Sequence, residues 1–203
     1  MDYRVYHAVN GFVLAHAWLG HLVAVVETVA VPLFAVATCG LWLLDRPRGP
    51  RKWKLASASA LASAALALLV ARVIGEIWAR QRPFAVHPSV HVWGGRSRDP
   101  SFPSDHASAA FAIAFAILVF DQAVGTIFLA AAVVIAAGRV VVGAHYPSDV
   151  LGGMLVAFGS ALFVVRAGQP TILRLVRILE RVTDPVLAPL WRRLTLFRRP
   201  LTR

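Results

Sequence analysis

The sequence predicts an all-α integral membrane protein, a helical bundle of five to six transmembrane helices followed by an amphipathic basic tail. Of the 203 residues, 58% are hydrophobic and only 15% are charged, with a mean hydropathy of +0.67. A soluble domain would carry about a quarter charged residues. The apolar residues also form blocks, and several approach the ~20 residues that a helix needs to cross a bilayer. These features together favour lipid as the solvent.

The apolar blocks place the predicted spans at 22–44, 55–75, 106–120, 123–141 and 150–166. The second block is rich in Ala and Ser, small residues that let helices approach closely in lipid. Residues 3–21 are more polar and are predicted to form an interfacial or partly inserted helix. The stretch 76–105 contains four prolines and is predicted to be a loop.

Basic residues concentrate in the loop 45–54 and after residue 165, where nine arginines lie. Positive charge beside spans marks the cytoplasmic side, so alternation puts 76–105 and 139–149 on the extracytoplasmic side. The net charge of +11 alone would suggest nucleic acid. Because the charge flanks the spans, we expect no nucleic-acid binding and instead contact with anionic membrane lipids.

The basic tail is predicted to be an amphipathic surface helix. Its apolar residues recur at helical spacing, at Ile172, Leu175, Val176, Leu179 and Val182. Arginines take the other side, at Arg174, Arg177 and Arg181. No internal repeat is present, so we predict one membrane domain, 1–169, and a cytoplasmic tail, 170–203. No oligomeric state is predicted.

Polar clusters at span ends on one predicted side indicate the chemistry, at 80–84, 101–106 and 139–149. A phosphoryl group in transfer spreads negative charge over its oxygens and needs cations and N–H donors around it. Arg82 and Arg139 provide planar forks suited to phosphate oxygens. Ser104 lies where a helix is predicted to begin, and free amides there favour an anion.

Two histidines lie in these clusters, His106 and His145. Asp149 follows His145 by four residues, which on a helix would place both on one face. A carboxylate that fixes the imidazole tautomer leaves the other ring nitrogen free to attack. The alternatives are a structural histidine and a carboxylate that caps the following helix.

These clusters resemble the signature of the phosphatidic acid phosphatase type 2 superfamily: Lys-x6-Arg-Pro, Pro-Ser-Gly-His and Ser-Arg-x5-His-x3-Asp. This chain reads Gly75-x6-Arg82-Pro83, Pro103-Ser104-Asp105-His106 and Gly138-Arg139-x5-His145-x3-Asp149. The segments FPSDHA and GAHYPSDVLGG look most like the bacterial undecaprenyl-diphosphate phosphatase branch.

The resemblance implies that His145 attacks phosphorus to form a phosphohistidine and that Asp149 orients it. His106 would protonate the leaving oxygen and later help activate water. Arg82, Arg139 and the backbone at Ser104 would hold the phosphate oxygens. No metal or other cofactor is implied, and with a single cysteine the sequence shows no spare ligand cluster.

Gly75 stands where the resemblance implies a lysine, so one phosphate cation is missing. We expect Arg80, or Arg72 one turn earlier, to substitute for it. Gly138 replaces a serine. Asp105 replaces a glycine and is expected beside the phosphate site, where it would position His106 or Arg82.

Two glutamates lie near or within the spans. A charge at a helix centre costs ~2.5–3.5 kcal/mol on insertion scales, so Glu27 is expected to pair or to be protonated. Glu76 is expected to form a salt bridge near the arginine cluster.

The best substrate expectation is undecaprenyl diphosphate, hydrolysed at the extracytoplasmic face. The alternatives are a phosphatidate or phosphatidylglycerol-phosphate phosphatase, and a relative that binds lipid phosphate without turnover because Gly75 replaces the lysine. Soluble haloperoxidase chemistry on the same motif is disfavoured by the spans.

Overall fold

The structure, a computed structural model, describes residues 2–196, with side chains as far as residue 193. Over this range the chain is helical and contains no strand. The helices are α1 (Asp2–Ala15), α2 (Ala17–Leu41), α3 (Lys52–Trp78), α4 (Pro83–Val86), α5 (Asp105–Phe120), α6 (Gln122–Val141), α7 (Pro147–Arg166) and α8 (Gln169–Leu196), with a 3-10 turn at Trp42–Leu44 after α2. The end of the predicted tail, 197–203, lies outside the described residues.

Within residues 2–196, four helices are long and apolar enough to cross a membrane: α2, α3, α6 and α7. α5 is shorter, with 16 residues, and packs against α3, α6 and α7. Its small side chains let these neighbours approach closely, and the alanines that lie buried there are Ala107, Ala110, Ala112, Ala114 and Ala116. The all-helical membrane bundle is therefore confirmed, while the count of five to six spans stays a prediction.

The predicted loop 76–105 differs from the structure in two places. α3 continues to Trp78, where Ala79 adopts a left-handed conformation with φ 47° and ends the helix. The short helix α4 then begins at Pro83, after Arg82 in extended backbone. Proline disfavours the helical region for the residue before it, which explains why Arg82 stays outside α4.

The basic loop, the turn between α5 and α6, and α8 meet at one end of the bundle. Lys54 is fully buried and pairs with Glu180 at 3.2 Å and Asp184 at 2.7 Å, both on α8. Lys52 pairs with Asp121 at 2.7 Å. A buried ammonium needs such partners because desolvating an unpaired charge is costly. These ion pairs fasten the basic loop to α8 and to the turn between α5 and α6.

α1 lies across the opposite end. The Tyr6 hydroxyl, fully buried, donates to the carbonyl of Gly143 at 3.1 Å, and the Asn10 side-chain amide donates to the carbonyl of His91 at 2.8 Å. The predicted interfacial segment 3–21 therefore divides into α1 and the start of α2. α1 ties together the two loops that carry the polar clusters.

Candidate active site

His145 lies in the loop between α6 and α7 and is only 2% exposed. Its Nδ1 is 2.8 Å from the carbonyl oxygen of Ser101, and its Nε2 is 3.1 Å from Nη1 of Arg82. A carbonyl can only accept and a guanidinium can only donate. Both contacts therefore select the tautomer with the proton on Nδ1, which leaves a lone pair on Nε2.

Asp149 is fully buried in the first turn of α7. Its Oδ2 accepts from the Ser101 hydroxyl at 2.6 Å and from the backbone N–H of Tyr146 at 2.9 Å. The same oxygen lies 3.7 Å from Nδ1 of His145. Asp149 thus caps α7 and holds Ser101, whose carbonyl binds His145. The contact through Ser101 could not be read from the sequence, because a backbone oxygen carries it.

Arg80 lies behind Asp149. Its Nη1 donates to Oδ1 of Asp149 at 2.7 Å, and its Nη2 donates to Asp2 at 2.7 Å. The guanidinium stacks over the Tyr146 ring at 4.2 Å. Arg80 was expected to replace the missing lysine at the phosphate, whereas its two Nη groups are occupied by carboxylates here. The partner Asp2 was not predicted, because no motif contains it.

Arg82 is held by backbone oxygens. Its Nε donates to the carbonyl of Asp99 at 2.9 Å, and its Nη1 lies 3.3 Å from the carbonyl of Ala144 as well as facing His145. These fixed acceptors hold Nη1 of Arg82 at 3.1 Å from Nε2 of His145. A bound phosphate would compete with the imidazole for the same N–H groups.

Arg139 and His106 line a cleft of about 340 Å³ between α2, α5 and α6. Nη1 of Arg139 lies 3.3 Å from a carboxylate oxygen of Glu27, so the expectation that Glu27 pairs is confirmed. Nε of Arg139 is buried and has no hydrogen-bond partner within the described part of the chain. Ala144, next to His145 in the sequence, lines the same cleft. The cleft therefore reaches the loop that carries the nucleophile candidate.

Ser104 precedes α5 and is fully buried. Its backbone N–H donates to the carbonyl of Asp149 at 3.0 Å and so is already occupied. The next three N–H groups lie in the first turn of α5, where a helix offers no acceptor. Asp105 is exposed at that turn. Amide donors for an anion are therefore more available just after Ser104 than at it.

Gly75 is buried on α3, and a β-carbon added there would lie 3.5 Å from the carbonyl of Phe102. Arg72, the other candidate for the missing lysine, is exposed and pairs with Glu76 at 2.7 Å and Asp99 at 3.4 Å. The salt bridge expected of Glu76 is thus confirmed, with Arg72 as its partner. Both candidate substitutes, Arg72 and Arg80, have carboxylate partners.

Burial lowers the pKa of His145, and the positive charges of Arg82 and Arg139 act in the same direction, while the Asp149 carboxylate opposes them. The neutral form of the His145 imidazole therefore persists at pH values below the ordinary histidine pKa of ~6.5. We expect the acidic limb of kcat/KM to fall below that pH in phosphate-release assays. Asp149→Asn should move the limb lower still, because it removes the influence that raises the pKa. An acidic limb above pH ~6.5 would contradict this assignment.

Among the described residues, no group of three or more His, Cys, Asp or Glu side chains is arranged to hold a metal ion. The polar groups that converge are instead an imidazole, guanidinium groups and carboxylates. Such a set can stabilise phosphate oxygens and deliver a nitrogen nucleophile.

The sequence is similar to those of two named phosphatases. The chain is 28% identical over 187 residues to the undecaprenyl-diphosphatase BcrC of Bacillus subtilis, across 91% of this chain and 94% of that protein. It is 38% identical over 120 residues to the decaprenylphosphoryl-5-phosphoribose phosphatase of Mycobacterium tuberculosis, across 57% of this chain and 60% of that protein.

The fold has counterparts among solved structures. A transmembrane PAP2-type phosphatidylglycerolphosphate phosphatase from Bacillus subtilis superposes with a TM-score of 0.58 at 20% identity, over 84% of this chain and 87% of that one. The family model of the PAP2 superfamily matches residues 56–172, which include all three polar clusters. The chain belongs to the PAP2 superfamily.

Proposed function

We propose that this membrane protein is a lipid phosphatase that hydrolyses undecaprenyl diphosphate to undecaprenyl phosphate through a phosphohistidine at His145. The observation that carries the chemistry is the pair of contacts that leaves a lone pair on Nε2 of His145. A buried, neutral and oriented imidazole is a competent nucleophile toward phosphorus.

In the first step, Nε2 of His145 attacks the terminal phosphorus and the bond to the leaving lipid oxygen breaks. His106 donates a proton to that oxygen. Negative phosphate in the cleft favours the protonated imidazole that this role requires. Arg82, Arg139 and the first amides of α5 stabilise the oxygens of the phosphoryl group in flight.

In the second step, a water attacks the phosphohistidine while His106 takes a proton from it. The nitrogen–phosphorus bond breaks, inorganic phosphate leaves, and Nε2 regains its lone pair. Ser101 and Asp149 keep the imidazole oriented throughout, because their hydrogen bonds do not involve the reacting nitrogen.

The similarity to the Bacillus subtilis undecaprenyl-diphosphatase supports the choice of substrate, since it runs along nearly the whole of both chains. The exposed apolar faces of α2, α6 and α7 suit a substrate that stays in the bilayer, and examples are Val25, Ile127, Leu155 and Phe158. The phosphate therefore enters the cleft while the prenyl tail remains in lipid.

A single assay tests the proposal. The purified protein is offered undecaprenyl diphosphate, phosphatidate, phosphatidylglycerol phosphate and decaprenylphosphoryl-5-phosphoribose at equal concentration in the same detergent, and released phosphate is measured. We expect the highest kcat/KM for undecaprenyl diphosphate. A higher kcat/KM for another lipid would identify that lipid as the substrate instead. Absence of phosphate release from all four lipids would favour a relative that binds lipid phosphate without turnover.

We further propose that the site opens on the extracytoplasmic side, because the basic loop and α8 meet at the other end. In a Cys39→Ala background, Ser89→Cys should react with a membrane-impermeant thiol reagent in whole cells, and Pro50→Cys should not. Both positions are exposed, so accessibility differs only by the side of the membrane. The reverse labelling pattern would place the site in the cytoplasm.

A further inference from the structure

Glu27 lies outside the three sequence motifs, yet it pairs with Arg139 and so joins two helices. Glu27 lies on α2 and is only 8% exposed, while Arg139 lies on the last turn of α6. Both line the cleft that also contains His106. A carboxylate in a site built for an anion would weaken binding unless it served another group there.

Gly138 creates the space that this carboxylate occupies. A β-carbon added at Gly138 would lie 2.3 Å from Oε1 of Glu27 and 2.9 Å from its Cδ. Any larger residue at this position would force the carboxylate away. The buried carboxylate of Glu27 and the absence of a side chain at Gly138 therefore fit each other.

We propose that Glu27 is the positioning residue for Arg139 and that Gly138 makes this role possible. The inference rests on the proposed phosphatase function. The carboxylate neutralises the guanidinium and fixes it through Nη1, which lowers the cost of burying an always-charged group. Fixing one end of the planar fork also limits the motion of the other donors.

The remaining donors of Arg139 suit a phosphate. Its Nε is buried and unpaired within the described residues, so a phosphate oxygen could accept from it without displacing Glu27. A donor that is fixed before the reaction needs no reorganisation when charge develops. Glu27 therefore contributes to the rate through Arg139 and does not touch the substrate.

Glu27→Gln keeps the shape of the side chain and removes its charge. We expect kcat to fall about tenfold, since the ion pair that fixes Arg139 becomes a hydrogen bond to a neutral acceptor. In an Arg139→Lys background the same change should cost little, because the fork that Glu27 positions is absent. Glu76→Gln, at an exposed salt bridge on α3, is the matched control and should leave kcat unchanged.

Gly138→Ala tests the space directly. In the wild-type background this substitution should lower kcat about tenfold, because it displaces the carboxylate that contacts Arg139. In a Glu27→Ala background it should cause no further loss of kcat, because that carboxylate is already absent. Gly159→Ala, where an added β-carbon meets nothing within 4 Å, is the matched control. Thermal unfolding in detergent should show that all variants remain folded, because the clash involves the end of a flexible side chain.

Independent, additive losses for Gly138→Ala and Glu27→Ala would overturn the inference, since residues that act as one unit are non-additive. An unchanged kcat in Glu27→Gln would also overturn it while leaving the phosphatase proposal intact. Absence of phosphate release by the wild type would instead contradict the proposed function.

Discussion

His145→Ala is expected to reduce phosphate release below detection while the helical bundle stays folded. The substitution removes the proposed nucleophile, and loss of the nucleophile of a hydrolase lowers kcat by roughly 10⁶. The wild-type ring is buried between Ser101 and Arg82, so the alanine variant leaves a cavity and some loss of stability is expected. His145→Asn, which fills more of the space, separates folding from chemistry.

The measurement is phosphate release from undecaprenyl diphosphate by purified variants, with thermal unfolding recorded for each. His16→Ala is the control, because this histidine is exposed and its side chain contacts Phe12, through the carbonyl at 2.9 Å and the ring at 4.5 Å, away from the candidate site. A variant at His145 that keeps half of the wild-type rate would rule out the phosphohistidine mechanism. Trapping of labelled phosphate on the wild type, and not on His145→Asn, would support the covalent step independently.

The predicted spans correspond closely to helices because a lipid environment restricts the backbone conformations that an apolar segment can adopt. Backbone polar groups in hydrocarbon must be satisfied within the segment, so long apolar blocks become helices whatever their packing. The predicted first and last residues of the helices were less accurate. α7 begins at Pro147 and not at 150, since Pro147, Ser148 and Asp149 form its polar first turn, and α4 is too short to show a period.

The types of side chain in the site were predictable, whereas their pairing was not. The sequence placed His145 and Asp149 together, and their side chains lie 3.7 Å apart, although His145 precedes α7 and does not share its face with Asp149. The pair of Glu27 and Arg139 joins residues 112 positions apart, and only packing of α2 against α6 reveals it. The contact between His145 and the backbone carbonyl of Ser101 cannot be predicted from a sequence, since every residue has a carbonyl. Arg80 was assigned to the phosphate from its proximity to Arg82, whereas in the structure its two Nη groups donate to Asp149 and Asp2, which the spacing of the motif does not show.

Arg80→Ala is expected to lower the rate and the thermal stability together. Arg80 bridges Asp149 and Asp2, and a hydrogen bond to a charged group contributes ~1.5–3 kcal/mol. Its loss leaves the buried Asp149 carboxylate short of a partner and loosens Ser101. We therefore expect kcat to fall between about tenfold and about a hundredfold. Asp2→Asn keeps an acceptor for Arg80 and should be mild.

The same variant decides what replaces the missing lysine. If Arg80 were the substitute at the phosphate, Gly75→Lys would restore the rate of Arg80→Ala, because the new ammonium would supply the lost cation. If Arg80 acts behind Asp149, as its contacts indicate, Gly75→Lys cannot repair the carboxylate and the double variant stays slow. A β-carbon at Gly75 meets Phe102 and Pro100 at ordinary contact distances of 3.5 Å, so the lysine can be introduced without a backbone clash. Gly75→Ala is the matched control for the backbone change. If Gly75→Lys restores the rate of Arg80→Ala and thermal unfolding is unchanged, Arg80 binds the phosphate in the wild type. If the rate is not restored and the unfolding temperature is lowered, Arg82 and Arg139 are the two cations of the site.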